Sequence, residues 1–326
     1  MEKRHLKTKI LILFIVSEIL PVQAQKIEIP KFSGFINARY SWDDADDDVQ
    51  GFDIRRVRIS ATGNLSDKVD YKFQAEYETS AKVLDAYLRW KIRPEFNLEF
   101  GECKLPYSQE NLYGPTTWQT IENPAVVDQL NGYNDISGIK ANGRDIGLLL
   151  YGDLFKARDG HYFVKYNAGL FNGNGINAKD DNNKKDFAGL LYFLPVSALS
   201  LTVGYYQGSY GAKGAEHVRI RTSTGAEWKD SRWTVRSEYI SGNTAGQKSD
   251  GVYAFAAWKV LPIIEPVLSY DTFKPDRDAE ERQTNYQVGI NVFPLKNIRI
   301  QAAYTYEANK VAKDKNQVET QIFVQF

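Results

Sequence analysis

The chain has 326 residues, 41 basic against 41 acidic, with one cysteine and three histidines. Balanced charge leaves no basic footprint for nucleic acid, and the lone Cys103 excludes an internal disulfide framework. So few imidazoles offer little material for a histidine-based metal or catalytic site, and no metal or other cofactor is expected.

The first 24 residues carry the three parts of a secretory signal. Lys3, Arg4, Lys7 and Lys9 form a basic start, Ile10 to Val16 an apolar core, and Val22-Gln23-Ala24 a small-residue cleavage site. Glu18 interrupts the apolar run and argues against a retained anchor helix. Cleavage after Ala24 removes those four basic residues and two acidic ones, Glu2 and Glu18, leaving 37 against 39 in 302 residues. No run of 18 apolar residues follows, so no helix of the mature chain is expected to span a bilayer.

From there the polar and apolar residues alternate with a period of two. Strands are expected over about 32–42, 52–63, 68–78, 83–92, 96–105, 144–153, 161–170, 186–194, 198–207, 217–227, 231–240, 251–260, 263–272, 283–292, 297–307 and 317–326. In the third, Val69, Tyr71, Phe73, Ala75 and Tyr77 share one face, while Asp70, Lys72, Gln74, Glu76 and Glu78 share the other. In the fourth, Leu84, Ala86, Leu88, Trp90 and Ile92 oppose Asp85, Tyr87, Arg89 and Lys91. In the fifteenth, Ile298, Ile300, Ala302, Tyr304 and Tyr306 oppose Arg299, Gln301, Thr305 and Glu307. A charge facing lipid costs a few kcal/mol near the midplane, so the charged faces belong inside, around water. The 20 Tyr, 17 Phe and 6 Trp suit aromatic girdles, with Tyr151, Tyr205 and Tyr206 among the candidates.

The connections alternate in length. Short ones include Asn64 to Asp67, Arg93 to Glu95, Leu194 to Ser197, Leu261-Pro262 and Phe293 to Lys296. Long ones include Asp43 to Gly51, Pro106 to Gly143, Asn172 to Lys185, Ser241 to Asp250, Lys274 to Arg282 and Ala308 to Asn316. The last strand places Val318, Ile322, Val324 and Phe326 on one face and ends on that aromatic, a pattern that barrel assembly machinery is expected to read. The expected architecture is all-β: one transmembrane antiparallel β-barrel of about 16 strands over residues 25–326, with short periplasmic turns and long outer loops. Residues 106–143 are expected to fold inward as a constriction.

Gly51 to Tyr107 carries a family resemblance. Phe52-Asp53-Ile54-Arg55-Arg56-Val57-Arg58-Ile59, then Asp70-Tyr71-Lys72-Phe73-Gln74, Asp85-Ala86-Tyr87-Leu88 and Phe100-Gly101-Glu102-Cys103-Lys104-Leu105-Pro106-Tyr107 resemble, in order and spacing, the phosphate-selective porin O/P family; Arg144-Asp145-Ile146-Gly147 also fits. The resemblance implies a sixteen-stranded, usually trimeric diffusion porin of the Gram-negative outer membrane, in contact with lipid and lipopolysaccharide, in which lumenal arginines lead anions to a lysine-lined constriction. By strand parity the basic candidates are Arg39, Arg56, Arg58, Lys72, Arg89, Lys91, Lys104, Arg236 and Arg299. The acidic ones on the same faces are Asp70, Glu76, Asp85, Glu238 and Glu307.

These mixed faces fit two readings: salt bridges that stiffen a wet wall, or an anion ladder of paired guanidinium donors. The inward segment holds Glu110, Glu122, Asp128 and Asp135 but only Lys140, a departure from a lysine-lined constriction. Its Tyr107, Tyr113, Trp118 and Tyr133 either form a slide for solutes or pack the loop against the wall. Asp43-Asp44-Ala45-Asp46-Asp47-Asp48 lacks the glycine and distal glutamate of a calcium loop and suits a solvated tip. The functional expectation is passive diffusion of small polar or ionic solutes, with an anion or phosphate preference. Two alternatives stand beside it: a barrel hydrolase using His161 or His217, and a secreted soluble β-sandwich or lectin.

Overall fold

The alternation is realised in strands long enough to cross a bilayer. A computed structural model describes residues 28–44, 50–78, 80–132 and 134–326. The signal, Asp46 to Asp48 of the acidic tip, and Tyr133 lie outside those residues. Among the described residues there are sixteen strands. They are β1 (Lys31–Asp43), β2 (Gln50–Asn64), β3 (Val69–Tyr77), β4 (Ala81–Arg93), β5 (Phe96–Lys104), β6 (Arg144–Lys156), β7 (Tyr162–Phe171) and β8 (Asp186–Val196). They continue with β9 (Leu199–Tyr210), β10 (His217–Lys229), β11 (Trp233–Thr244), β12 (Gln247–Trp258), β13 (Ile264–Lys274), β14 (Gln283–Leu295), β15 (Ile298–Asn309) and β16 (Lys315–Gln325). Each pairs antiparallel with its sequence neighbour, and β1 pairs with β16, closing the barrel. Closure leaves no sheet edge, the condition for a sheet to cross lipid, and rules out a two-sheet sandwich.

The seam is tied at the last residue. Gly34 and Phe326 exchange backbone hydrogen bonds of 2.9 and 3.0 Å. A Cβ at Gly34 would lie 2.5 Å from the Arg58 carbonyl and 2.7 Å from the Phe326 ring, so the terminal aromatic packs here only because residue 34 has no side chain.

The outer face is apolar, with Phe32, Phe100, Leu148, Leu268 and Val288 exposed. Near the short turns Trp233 and Trp258 stack with centroids 5.4 Å apart. Near the outer rim Tyr270, Tyr286 and Tyr306 form a row at 5.4 and 6.4 Å. These are the amphipathic rings of the two interfaces. Tyr205 faces outward, but Tyr206 is buried against Tyr107 and Tyr151 lies inside beside Arg89, so those two are not girdle residues.

The expected long connection from Ser241 to Asp250 is instead a continuation of β11 and β12 to a two-residue turn. Ala245 and Gly246 have φ of 52° and 96°, which matches a type I′ hairpin. Pro195 and Pro294 sit within β8 and β14, at register shifts where no ladder donor is needed, rather than in the turns.

Between β5 and β6 the chain turns into the barrel. It forms α1 (Gln109–Leu112), a 3-10 turn (Pro115–Thr117) and α2 (Ala125–Asn131). This segment bonds to β1, β2, β10, β11, β13, β14 and β15, contacts that only a segment inside a closed cylinder can make together.

Candidate functional site

Two regions of the interior differ. Along β9 to β13 the inward segment fills it. Val126, Val127 and Leu130 of α2 pack on Ile240, Tyr253, Phe255 and Phe273 as a buried apolar cluster. Gly204 lets the segment touch the wall, because a Cβ there would lie 2.0 Å from the Tyr107 carbonyl. The interior is therefore not water-filled throughout.

Arg236 and Glu238, expected on the water-facing wall, are sealed beneath this segment and bind it. Arg236 pairs with Glu110 at 2.6 Å and Glu227 at 2.5 Å and lies 3.7 Å from the Tyr113 ring. Glu238 accepts from Ser108 Oγ at 2.8 Å and the Gln109 amide at 3.0 Å, at the start of α1. Arg299 is likewise buried, donating to the carbonyls of Trp118 at 2.8 Å and Pro115 at 2.6 Å. Tyr107 and Trp118 are themselves buried, as packing residues, and Tyr113 donates to Glu227 at 2.9 Å. Period two places these side chains inside but carries no information on what covers them.

The other region is open, as two cavities. The outer one, of about 470 Å³, is lined by Arg39 and Arg55 against Glu122, Asp128, Asp271, Glu307 and Glu319 among its charged groups. The lower one, of about 400 Å³, is lined by Arg58, Lys72, Arg89, Lys104 and Arg144 against Asp85 and Glu99. In the lower cavity Asp85 bridges Lys72 at 2.6 Å and Arg144 at 2.8 Å, and Arg89 reaches Glu99 at 3.1 Å; outside its lining, Lys91 pairs with Asp70 at 3.1 Å. Lys104 Nζ donates to the carbonyls of Asn111 and Tyr113, so it anchors the segment's first turn. The Arg58 pair with Glu76, at 2.6 Å, is buried on both sides. The basic lining groups open to water are Lys72 and Arg89, at 30 and 32% of full side-chain exposure, with Lys91 next to them on the wall at 43%.

Glu122 lines the outer cavity. It accepts from Arg55 at 2.9 Å, Arg39 at 3.3 Å and Arg56 at 3.3 Å. Burial alone would raise its pKa, but Arg56, Arg55 and Arg39 outweigh that and hold the carboxyl down to about 2. Arg56 also lies 5.4 Å from the Trp118 ring.

Arg55 is a residue that the alternation misses. Strict parity from Arg56 and Arg58 turns it toward lipid. The β1–β2 register steps from Asn37↔Arg56 to Ala38↔Ile54, so Arg55 is the extra residue of a bulge and joins Arg56 on the inner face. The same device acts on β4, where the register steps from Gln74↔Asp85 to Ala75↔Val83. Leu84, expected on the lipid face, is fully buried instead. Arg144 is the second missed residue, placed on Asp85 by the outer end of β6. The inner faces that parity assigned to Arg39, Lys72, Asp70, Glu76, Asp85 and Glu307 are where these side chains lie.

His161 faces Asp159 in the turn after β6, and His217 packs on Tyr210 at the outer start of β10. The two imidazoles lie at opposite ends of the wall.

Residues 35–263 match the family described as phosphate-selective porin O and P. None of the curated proteins matches by sequence. Among solved structures the chain is similar to an anion-selective porin from Comamonas acidovorans. The TM-score is 0.71 and the identity 14%, over 91% of this chain and 99% of that one. It is also similar to the outer-membrane channel DcaP of Acinetobacter baumannii, with a TM-score of 0.66 and 12% identity over 91 and 97%. The trimer form of OmpT from Vibrio cholerae matches with a TM-score of 0.63 and 13% identity over 91 and 99%. At these identities the structures speak for the fold.

Proposed function

The chain belongs to the phosphate-selective porin O and P family and is an outer-membrane porin; from that premise we propose that it acts as a channel without enzymatic activity and passes small polar solutes passively, with a modest preference for anions. The observation that carries the preference is the lower cavity, where five basic side chains face two acidic ones. Fixed charge of one sign in a narrow low-dielectric passage concentrates the opposite ion. The preference is modest because most of these cations are already paired with carboxylates. The comparison with an anion-selective porin supports the same direction.

The working form in this reading is the chain cleaved after Ala24, inserted by the barrel assembly machinery among lipid and lipopolysaccharide and assembled as a homotrimer. Its outer apolar band and terminal Phe326 support insertion. Purified heat-modifiable protein in a planar bilayer under a tenfold KCl gradient tests the proposal. The expected result is stepwise conductance with a reversal potential displaced toward the chloride equilibrium value; folded protein without conductance refutes it.

A further inference from the structure

The two cavities carry opposite charge. Among the described residues the outer one has two basic and five acidic lining groups, the lower one five basic and two acidic. They follow one another along the same strands. On β1, Arg39 lines the outer cavity and Phe35 the lower; on β2, Arg55 lines the outer and Arg58 the lower. The pair on β1 stands four residues apart, about 13 Å of strand.

The outer sign rests on two carboxylates that hold amides instead of cations. Asn285 Nδ2 donates to both oxygens of Asp271, at 3.1 and 3.3 Å, and the Ala125 amide donates to it at 3.0 Å. Gln283 Nε2 donates to Glu307 at 3.1 Å and Asn309 Nδ2 at 2.8 Å. Carboxamides satisfy a carboxylate's lone pairs without cancelling its charge. Lys315 lies across the β15–β16 register from Glu307, but no ion pair joins the two among the described residues. Glu122 and Glu319, by contrast, already face arginines.

We propose that the lumen is a bipolar pore. A cation-attracting vestibule at its outer mouth, set by Asp271 and Glu307, stands in series with the anion-attracting compartment beneath the inward loop. This rests on the porin reading above. Its physical consequence is rectification. With the outside positive, cations enter through the acidic zone while anions enter through the basic one. Both accumulate at the junction, and conductance rises. With the outside negative both are drawn away, and the junction is depleted. Each zone acts over about a Debye length, ~10 Å at 0.1 M, which is comparable with the separation of the zones. Multiply charged solutes are disfavoured relative to small ions and zwitterions, since a polyanion is opposed at the mouth and a polycation beneath the loop.

The test is the current–voltage curve of oriented channels in 0.1 M KCl. Orientation is read from a Lys179→Cys marker in the loop after β7, labelled from one side. The current at +100 mV outside should be about twice that at −100 mV, and the asymmetry should vanish in 1 M salt, where the Debye length is ~3 Å. Asp271→Asn with Glu307→Gln should bring the ratio to about 1 on the same reasoning. Because Asp271 also holds the start of α2, Glu307→Gln alone is the second variant and should remove about half of the asymmetry. Open channels that are ohmic at 0.1 M, or rectification unchanged in both variants, overturn the inference and leave the porin reading standing. Folded protein that never conducts overturns both.

Discussion

Replacing Glu122 by Gln keeps its shape and removes the one negative charge that Arg39, Arg55 and Arg56 share. The loop stays attached, since Arg299 still holds the Trp118 and Pro115 carbonyls and Arg56 still packs on Trp118. The measured effect is then mainly one of charge. A unit charge ~6 Å from a permeating ion in water is worth about 0.7 kcal/mol, roughly halved by screening at 0.1 M. Its loss acts with opposite sign on anions and cations, so the anion-to-cation permeability ratio should rise about threefold. The assay is the reversal potential in a tenfold KCl gradient, for wild type and Glu122→Gln side by side. A ratio that is unchanged, or that moves toward cations, would show that Glu122 does not stand beside the ion path.

Acid should reach this clamp late. The Glu122 carboxyl is lowered from an ordinary 4.5 to about 2, so its stabilising contribution is complete above about pH 4.5 and is lost as the pH falls toward 2. Open-channel noise should therefore be the same at pH 7 and pH 5 and rise at pH 3; a rise already at pH 5 would refute the clamp. Arg236→Ala should strand Glu110 and Glu227 in a buried site and cost about 3–5 kcal/mol, seen as a lower temperature of the shift from folded to unfolded mobility on gels, and an unchanged temperature would count against a buried strut. Deleting Phe326 removes both backbone bonds to Gly34 and should cut the yield of heat-modifiable protein in the outer membrane without altering secretion, as read by fractionation; a normal folded yield would remove the assembly argument.

The wall was legible because alternation is a long-range signal. A one-residue slip would turn every charge toward lipid, so β3, β4 and β15 state their faces plainly. Two kinds of information were not. Bulges are local departures from period two, and nothing in Ile54-Arg55-Arg56-Val57 announces which arginine is the extra one. Coverage is tertiary: Arg236, Glu238 and Arg299 alternate like any lumenal residue, and only the path of the segment between Leu105 and Gly143 decides that they are buried. The same holds for Arg56 and Arg58, which alternation leaves open as wall salt bridges or as part of an anion ladder, and which are 1 and 3% exposed. The segment has few lysines, and what it sets against the wall at this point is one carboxylate, Glu122, paired with three arginines. The outer loops after β3 and β11 are short as well, so the difference in loop length marks the sides of the barrel less sharply than the sequence implies.

The central claim is that water-exposed cations beneath the loop set the ionic preference. The most direct measurement is the reversal potential of Lys72→Gln with Arg89→Gln, two basic groups that line the lower cavity with 30 and 32% of their side chains open to water. The account predicts an anion-preferring wild type and a double variant displaced toward cations, most strongly at low salt, where screening is weak. A wild type that prefers cations, or a double variant with the same reversal potential as wild type, would contradict it.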